Sequence, residues 1–288
     1  MSDDANSLGE YLRARRELVT PEEVGLSHSG IRRVPGLRRE EVAMLAGISA
    51  DYYLRLEQGR DRNPSVQVLE SIARVLRLDD AGTTYLISLG ADKPRRTRRR
   101  PRKETVPAGI AKLIDTLGLP AFVEGRYFDV LAVNRLATAL SPRLTVGRNR
   151  LRDVFLDPAE QALFPSWEQA TAHLVAGFRE SVGTETDDPR FIELVGELSL
   201  GSERFRTLWA RHDVLPRESA PVTLDHPQVG RISLNREKLA VTGACGQMLA
   251  IYHAEPGTAD AEKLGLLASF LAEVSSPSRR SEGSGASR

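Results

Sequence analysis

Cysteine is almost missing from this 288-residue chain, with Cys245 the only one. One cysteine excludes a disulfide within the chain and any zinc site built on cysteine pairs, and it suits a reducing compartment. Long apolar runs are missing as well: no segment approaches the roughly 20 uninterrupted apolar residues that a membrane span needs. Met1-Ser-Asp-Asp4 has none of the apolar character of a signal peptide. The expectation is a cytoplasmic protein with no membrane insertion. Charge of one sign is not in excess either. The net charge is only +1, which taken alone argues against indiscriminate nucleic-acid binding. The signatures of catalysis are also lacking. His173, His212, His226, His253 and Cys245 fall at no spacing that builds a His-Glu-x-x-His zinc helix. The sequence has no Gly-x-Ser-x-Gly elbow, Walker loop or glycine-rich dinucleotide fingerprint. No catalytic residue, metal or cofactor is expected.

What is present is unevenly distributed. Through Lys103, Lys and Arg number 20 against 15 acids, a balance of +5, whereas the remainder has 20 against 24, or −4. Much of the excess lies in Lys93-Pro-Arg-Arg-Thr-Arg-Arg-Arg-Pro-Arg-Lys103, where prolines discourage helix and no acid intervenes. Residues 93–106 therefore read as an extended basic linker, which either tracks DNA phosphates or is a solvated spacer. It divides the chain into an expected domain at 1–92 and another at 107–274. The Ser- and Gly-rich residues 275–288 are expected to form a disordered tail.

The stretch Arg38 to Gly59 carries the most information. It reads as two short helices joined by a tight turn. Val42 and Ala43 are apolar at helical spacing, Gly47 suits a left-handed position that ends the first helix, and Ser49 offers a hydroxyl to cap the second. Glu40 and Glu41 lie in the first turn of the leading helix, where carboxylates interact well with the helix dipole. On the second helix Tyr53 and Leu56 point with Ile48 toward a core, leaving Ala50, Asp51 and Arg55 on the opposite face. A helix that reads the major groove needs this division, although a helical hairpin with a solvated polar face has it too. Leu8, Tyr11 and Leu12 before the hairpin repeat at helical spacing, as do Val68, Leu69, Ile72, Ala73 and Leu76 after it. Ser65 is a candidate N-cap, and Leu78-Asp79-Asp80 opens a further helix through Tyr85, Leu86 and Leu89. Five helices in under a hundred residues make an all-α domain.

Residues 8 to 90 resemble the phage-repressor, lambda-repressor-like or XRE type of helix-turn-helix domain. The insertion Thr20 to Leu37, ending Val34-Pro-Gly-Leu-Arg-Arg-Glu-Glu-Val-Ala43, and then Leu45-Ala-Gly-Ile-Ser-Ala-Asp-Tyr-Tyr-Leu-Arg-Leu-Glu-Gln-Gly-Arg60, resemble more narrowly the MmyB-like regulators of actinobacteria. The resemblance implies that Ala50, Asp51 and Arg55 face bases and that Arg39, Tyr52 and Arg60 lie near phosphates. It also implies an internal ion pair between Arg16 and Glu57. Arg55 is the strongest base-reading candidate, because a guanidinium can bond O6 and N7 of guanine together. Asp51 could accept from a cytosine N4 or could orient Arg55 one turn away. Arg32 and Arg33, with His28, sit in the inserted loop, where they either grip DNA or are solvated. A single domain of this kind covers a half-site, so double-stranded DNA is expected to be bound by a homodimer.

The second half has a different pattern. Ile110, Leu113, Ile114 and Leu117 mark a helix, and Pro120 to Asn134 reads as two apolar strands around a Gly125-Arg126 turn. Trp167 to Phe178 and Phe191 to Leu200 carry helical spacing. Val229 to Leu234 and Gln247 to Tyr252 read as strands before a last helix, Ala261 to Val274. These elements give an α+β domain. Phe155-Leu-Asp-Pro158, Leu194 to Ser199, Phe205 to Val214, His226 to Gly230 and Tyr252 to Gly257 resemble MmyB-like C-terminal domains. That family implies a PAS-like fold around a small-molecule cavity, with a small apolar ligand such as a fatty acid. Phe122, Phe128, Trp167 and Trp209 are candidate ligand-binding walls, and Arg211 and His212 candidate anchors for a head group. Each aromatic could equally be ordinary core, and Arg211 and His212 could form a surface pair with Asp213. A second domain used only for protein contacts, with no ligand, is the alternative.

Overall fold

A computed structural model describes residues 6–26, 34–61, 63–91, 104–183, 188–215 and 220–275. Among the described residues the first unit has five α-helices: α1 Ser7–Leu18, α2 Arg39–Ala46, α3 Ala50–Glu57, α4 Val66–Val75 and α5 Asp80–Gly90. A 3-10 turn at Glu22–Val24 lies inside the inserted segment. Four of the helix starts are written in their caps. The side chains of Asn6, Ser49, Ser65 and Asp79 accept from the backbone N–H of Gly9, Tyr52, Val68 and Gly82. Each satisfies a donor that the first turn would leave orphaned, at about 1 kcal/mol apiece. Gly47 ends α2 in the left-handed region at φ 71°, where a Cβ would be strained.

Tyr11, Leu12, Leu37, Val42, Tyr53, Leu56, Ile72 and Leu86 form the centre of this core. The Tyr53–Leu56 face of α3 is thus turned inward, and Ile48 packs partly against the same cluster. Leu37, the last residue of the insertion, is wholly buried. The backbone of α1 crosses the end of α3 so closely that a Cβ on Gly9 would sit 2.1 Å from the Glu57 carbonyl oxygen. Ser27–Arg33, with His28, Arg32 and Arg33, lie outside the described residues, as do Asp92, residues 93–103 of the basic linker and the tail after Ser275. Glu104 to Val106, at the end of the linker, touch the second unit: Gln247 Nε2 donates to the Thr105 carbonyl at 3.1 Å, and Val106 packs beside Ile114 and Val123.

The second unit is α+β. Its elements are α6 Ala108–Thr116, β1 Ala121–Glu124, β2 Val130–Val133, α7 Arg135–Leu140, α8 Arg150–Leu156, α9 Pro158–Gln161, α10 Trp167–Val182, α11 Pro189–Gly201, α12 Glu203–Ala210, β3 Ala220–His226, β4 Gly230–Ala240, β5 Met248–His253 and α13 Ala259–Ser275. The five strands make one antiparallel sheet in the order β2-β1-β5-β4-β3. One face packs on α7 and α13 through Phe122, Ile232, Leu234 and Ala250, and the other on α6 through Val123 and Leu249. Helices α8, α10, α11 and α12 form a lobe of their own around Phe178, Leu194, Leu198 and Phe205.

Several details differ from the sequence expectation, the short helices α7, α8 and α9 among them. The reversal between β1 and β2 is wider than a Gly125-Arg126 turn. Gly125 N–H donates to the Asp129 carbonyl, and Phe128 takes the left-handed position. Asn149 holds that wider loop, its Nδ2 donating to the Tyr127 carbonyl and to Asp129 Oδ1. Strand β3 was not expected, because Pro221 in its second position reads as a breaker. It is tolerated because β3 is an edge strand. Helix α12 is too short for its periodicity to stand out, and it is held by the burial of Phe205 and Leu208.

Candidate DNA-reading surface and ligand cavity

The candidate reading surface is the start of α3. Ala50 and Asp51 are exposed at its N-terminal end, and Arg55 lies one turn further on, about half exposed. Arg55 Nη1 is paired with the Asp51 carboxylate, and its guanidinium carbon lies 5.7 Å from the centre of the Tyr52 ring. Of the two roles open to Asp51, the free protein therefore contains the one that orients Arg55. Arg60 follows the helix and is exposed, its backbone N–H donating to the Arg55 carbonyl.

Beneath this surface lies a buried carboxylate shared by two arginines. Arg16 Nε donates to Glu57 Oε1 at 2.7 Å, and Arg39 Nε to Glu57 Oε2 at 2.5 Å. Arg16 also donates Nη1 to the Leu37 carbonyl at 2.8 Å, which fixes the end of the insertion. Burial, then the neighbouring Glu57, pushes the Tyr53 hydroxyl pKa up. Arg39, expected near phosphate, is thus held through its guanidinium Nε by Glu57 while its side chain stays about half exposed. The Arg39 tether depends on how α2 crosses α3, and no local pattern announces it.

In the second unit the six candidate ligand residues are dispersed. Phe122 is buried under the sheet, stacked on Tyr252 at 6.2 Å, with the Arg150 guanidinium 5.0 Å away. Phe128 meets Phe178 edge-on, with Lys238 Nζ 5.4 Å from its centre. Trp167 packs on Phe155 and donates Nε1 to the Val154 carbonyl at 3.0 Å. Trp209 stacks on Phe205 inside the helical lobe. Arg211 pairs with Asp213 at 2.9 Å, and His212 faces the first domain through Tyr11.

A cavity opens elsewhere, between α7, α9 and the sheet. Leu140, Ser141, Leu144, Arg150, Glu160, Phe164, Val222, Leu224, Arg236 and Tyr252 line it, and none of the six candidates does. Its volume is about 30 Å3, room for a water-sized group and far below the roughly 300–1,000 Å3 of typical ligand pockets. Its walls are apolar with a charged end. Glu160 accepts from Ser141 Oγ at 2.9 Å, and burial raises its carboxyl pKa. Arg236 Nε is buried with no acceptor among the described residues. Next to the cavity, Glu124 is wholly buried between Arg150 (2.7 Å) and Lys238 (2.8 Å). Burial outweighs the Glu124 attraction at Lys238 and holds its ammonium pKa down at about 8.

Sequence reasoning chose large aromatics and missed Arg150, Ser141, Glu160 and Arg236. A signal was present. Ile232, Leu234, Arg236 and Lys238 alternate along β4, so the two cations fall on the same inward face as the two buried aliphatics. Among the described residues no three His, Cys, Asp or Glu side chains gather to hold a cation, and no helix is long and apolar enough to cross a membrane.

A capped five-helix unit with an exposed reading helix, joined to an α+β domain that carries an internal cavity, defines a DNA-binding transcription regulator with a ligand-binding domain. Two family models match accordingly: a helix-turn-helix domain over residues 7–86, and the MmyB-like transcription regulator ligand binding domain over residues 106–267. The second match spans more than half of the chain, and the protein belongs to the MmyB-like transcription regulators. No curated protein matches it.

Proposed function

We propose that the protein is a cytoplasmic one-component sensor without catalytic activity. Its XRE-type helix-turn-helix reads DNA as a homodimer, and its PAS-like second domain takes an amphiphile with an apolar body and an anionic head, a fatty acid being the simplest case. The observation that carries the ligand class is Arg236. A buried guanidinium nitrogen without an acceptor among the described residues, beside Arg150 and facing Leu140, Leu144, Phe164 and Leu224, is completed by a carboxylate whose tail lies on apolar walls. The cavity must open to admit such a tail, and opening is what gives a ligand different affinity for two states of the protein. Without that difference it would shift nothing. On DNA, Arg55 reads a base while Arg39, Tyr52 and Arg60 hold phosphates, with half-sites about one helical turn, roughly 34 Å, apart.

The test is native mass spectrometry of the full chain with dodecanoate and with dodecylamine. Dodecanoate is expected to bind one per protomer and the amine not at all, and Arg236→Leu is expected to weaken dodecanoate at least tenfold. Equal binding of the two amphiphiles, or an unaffected Arg236→Leu, overturns the ligand class. A second reading, protein contact without ligand, is favoured by Leu266 and Phe270, exposed one turn apart on α13. Dodecanoate capture by the wild type decides against it.

A further inference from the structure

The two domains meet through a built joint. On the first domain it uses α1: Arg15 Nη1 meets Asp213 Oδ1 at 2.5 Å, and Tyr11, one turn earlier, contacts the His212 ring edge-on at 6.2 Å. Tyr85 of α5 closes the same corner, 5.2 Å from Tyr11. Val214 goes further and is buried in the first domain's hydrophobic core. On the second domain Arg179 of α10 organises the contact. Its Nη1 donates to His212 Nδ1 at 3.1 Å, its Nη2 donates to the Trp209 carbonyl at 2.5 Å, and its guanidinium lies 3.8 Å from the centre of the Trp209 ring.

The chemistry of this corner is specific. A guanidinium only donates, so His212 Nδ1 offers a lone pair and the ring is the neutral Nε2–H tautomer. Burial and the Arg179 charge keep it neutral, holding its pKa down at about 3. His212 also has a left-handed backbone at φ 54°, a conformation a non-glycine residue keeps only where its surroundings hold it.

The joint is continuous with both functional ends. Behind Trp209 a run of rings passes through Phe205 (5.7 Å) and Phe155 (5.3 Å) to Trp167 (6.2 Å). Phe164, packed against the same cluster, is also a wall of the ligand cavity. Ahead of the joint, the residue after Arg15 on α1 is Arg16, whose guanidinium holds Glu57 at the end of the reading helix. Neighbouring arginines of α1, about 100° apart around its axis, thus take partners on either side, Arg15 in the ligand domain and Arg16 in α3. Asp51 and Ala50 stay exposed with the domains docked, so the joint positions α3 without covering it.

We propose that this joint is the coupling element of the regulator: Asp213 and His212 grip α1 through Arg15 and Tyr11, and α1 passes a shift of the helical lobe to the reading helix through Arg16 and Glu57. The proposal rests on the regulatory reading above, and its positioning residues do not line the cavity. Coupling of this kind is read as an effect at one end of a change made at the other.

The experiment uses the full chain and three variants, Asp213→Arg, Arg15→Asp and the double swap, with Asp213→Asn as a milder fourth. Amide hydrogen exchange of Tyr53 to Gln58 reads the reading helix without DNA, and fluorescence anisotropy on a labelled duplex from the region upstream of its own gene reads affinity. Each single reversal is expected to speed exchange in α3 at least tenfold and to change duplex affinity at least fivefold. Asp213→Asn is expected to give a smaller change of the same sign, and the swap to recover part of both readouts, since position 213 still neighbours Arg211. Wild-type exchange in α3 for the single variants, or a swap no closer to wild type than either single reversal, overturns the proposal. A wild type that fails to bind the duplex counts against the regulatory reading, while the exchange measurements still decide the joint.

Discussion

Arg16 and Glu57 meet at 2.7 Å with side chains only 7% and 3% exposed, joining the first helix of the DNA-binding domain to the last residue of its reading helix. The second carboxylate oxygen holds Arg39, so one buried acid fixes three helices. Replacing Glu57 by alanine leaves Arg16 buried without its counter-charge. A loss of about 3–5 kcal/mol is expected from breaking such a pair. In a domain of this size that lowers the melting temperature by more than about 10 °C. Differential scanning calorimetry checks it, and a melt identical to wild type would show that the pair holds nothing together.

Arg55 and Arg60 should separate by kind of contact. Arg55→Ala is expected to relax preference at one base position by about 1–3 kcal/mol. Arg60→Ala should weaken all duplexes alike and lower the salt dependence of binding by about one counterion. Anisotropy titrations on an operator and its single-base variants, at several salt concentrations, distinguish the two. Uniform weakening by Arg55→Ala would reverse this assignment.

Lys238 gives a pH signature at the alkaline end. Its folded pKa of about 8 lies below the ordinary 10.5, so between these values the unfolded chain binds the proton and the folded one does not. Stability contributed by this group therefore rises as pH increases from about 8 toward 10. Lys238→Met should abolish that rise, as seen in urea midpoints at pH 7.5 and 9.5. A rise of equal size in the variant would assign it to another group.

His212 gives the opposite end. With a folded pKa of about 3 against the usual 6.5, its share of stability is complete above pH 6.5 and is lost as pH falls toward 3. At pH 4.5 the loss is on the order of 2 kcal/mol. His212→Asn retains an acceptor for Arg179 and tolerates the left-handed backbone, so it should flatten the decline in melting temperature between pH 7 and 4.5. An equally steep decline in the variant would place the acid sensitivity elsewhere.

The reading helix was legible in the sequence because its signals are local: Gly47 for the corner, Ser49 for the cap, and Tyr53 and Leu56 for the buried face. The Arg16–Glu57 pair was legible through family resemblance. The cavity was not. Its walls come from six separated stretches of chain, and its charged members Arg150, Glu160 and Arg236 look like ordinary surface residues until the sheet is assembled. Aromatic size pointed instead to the helical lobe, where Trp209 and Phe205 bury each other. Only in strand β4 does alternation carry a signal of the cavity, since Arg236 and Lys238 share the face of Ile232 and Leu234.

Val214 belongs by sequence to the second domain and by packing to the first domain's core. The helix-turn-helix is consequently not a freely exchangeable module. Excised, or grafted onto another sensor, it would carry an empty space where those methyl groups sit, and any chimera would have to bring a substitute for that one side chain along with the domain.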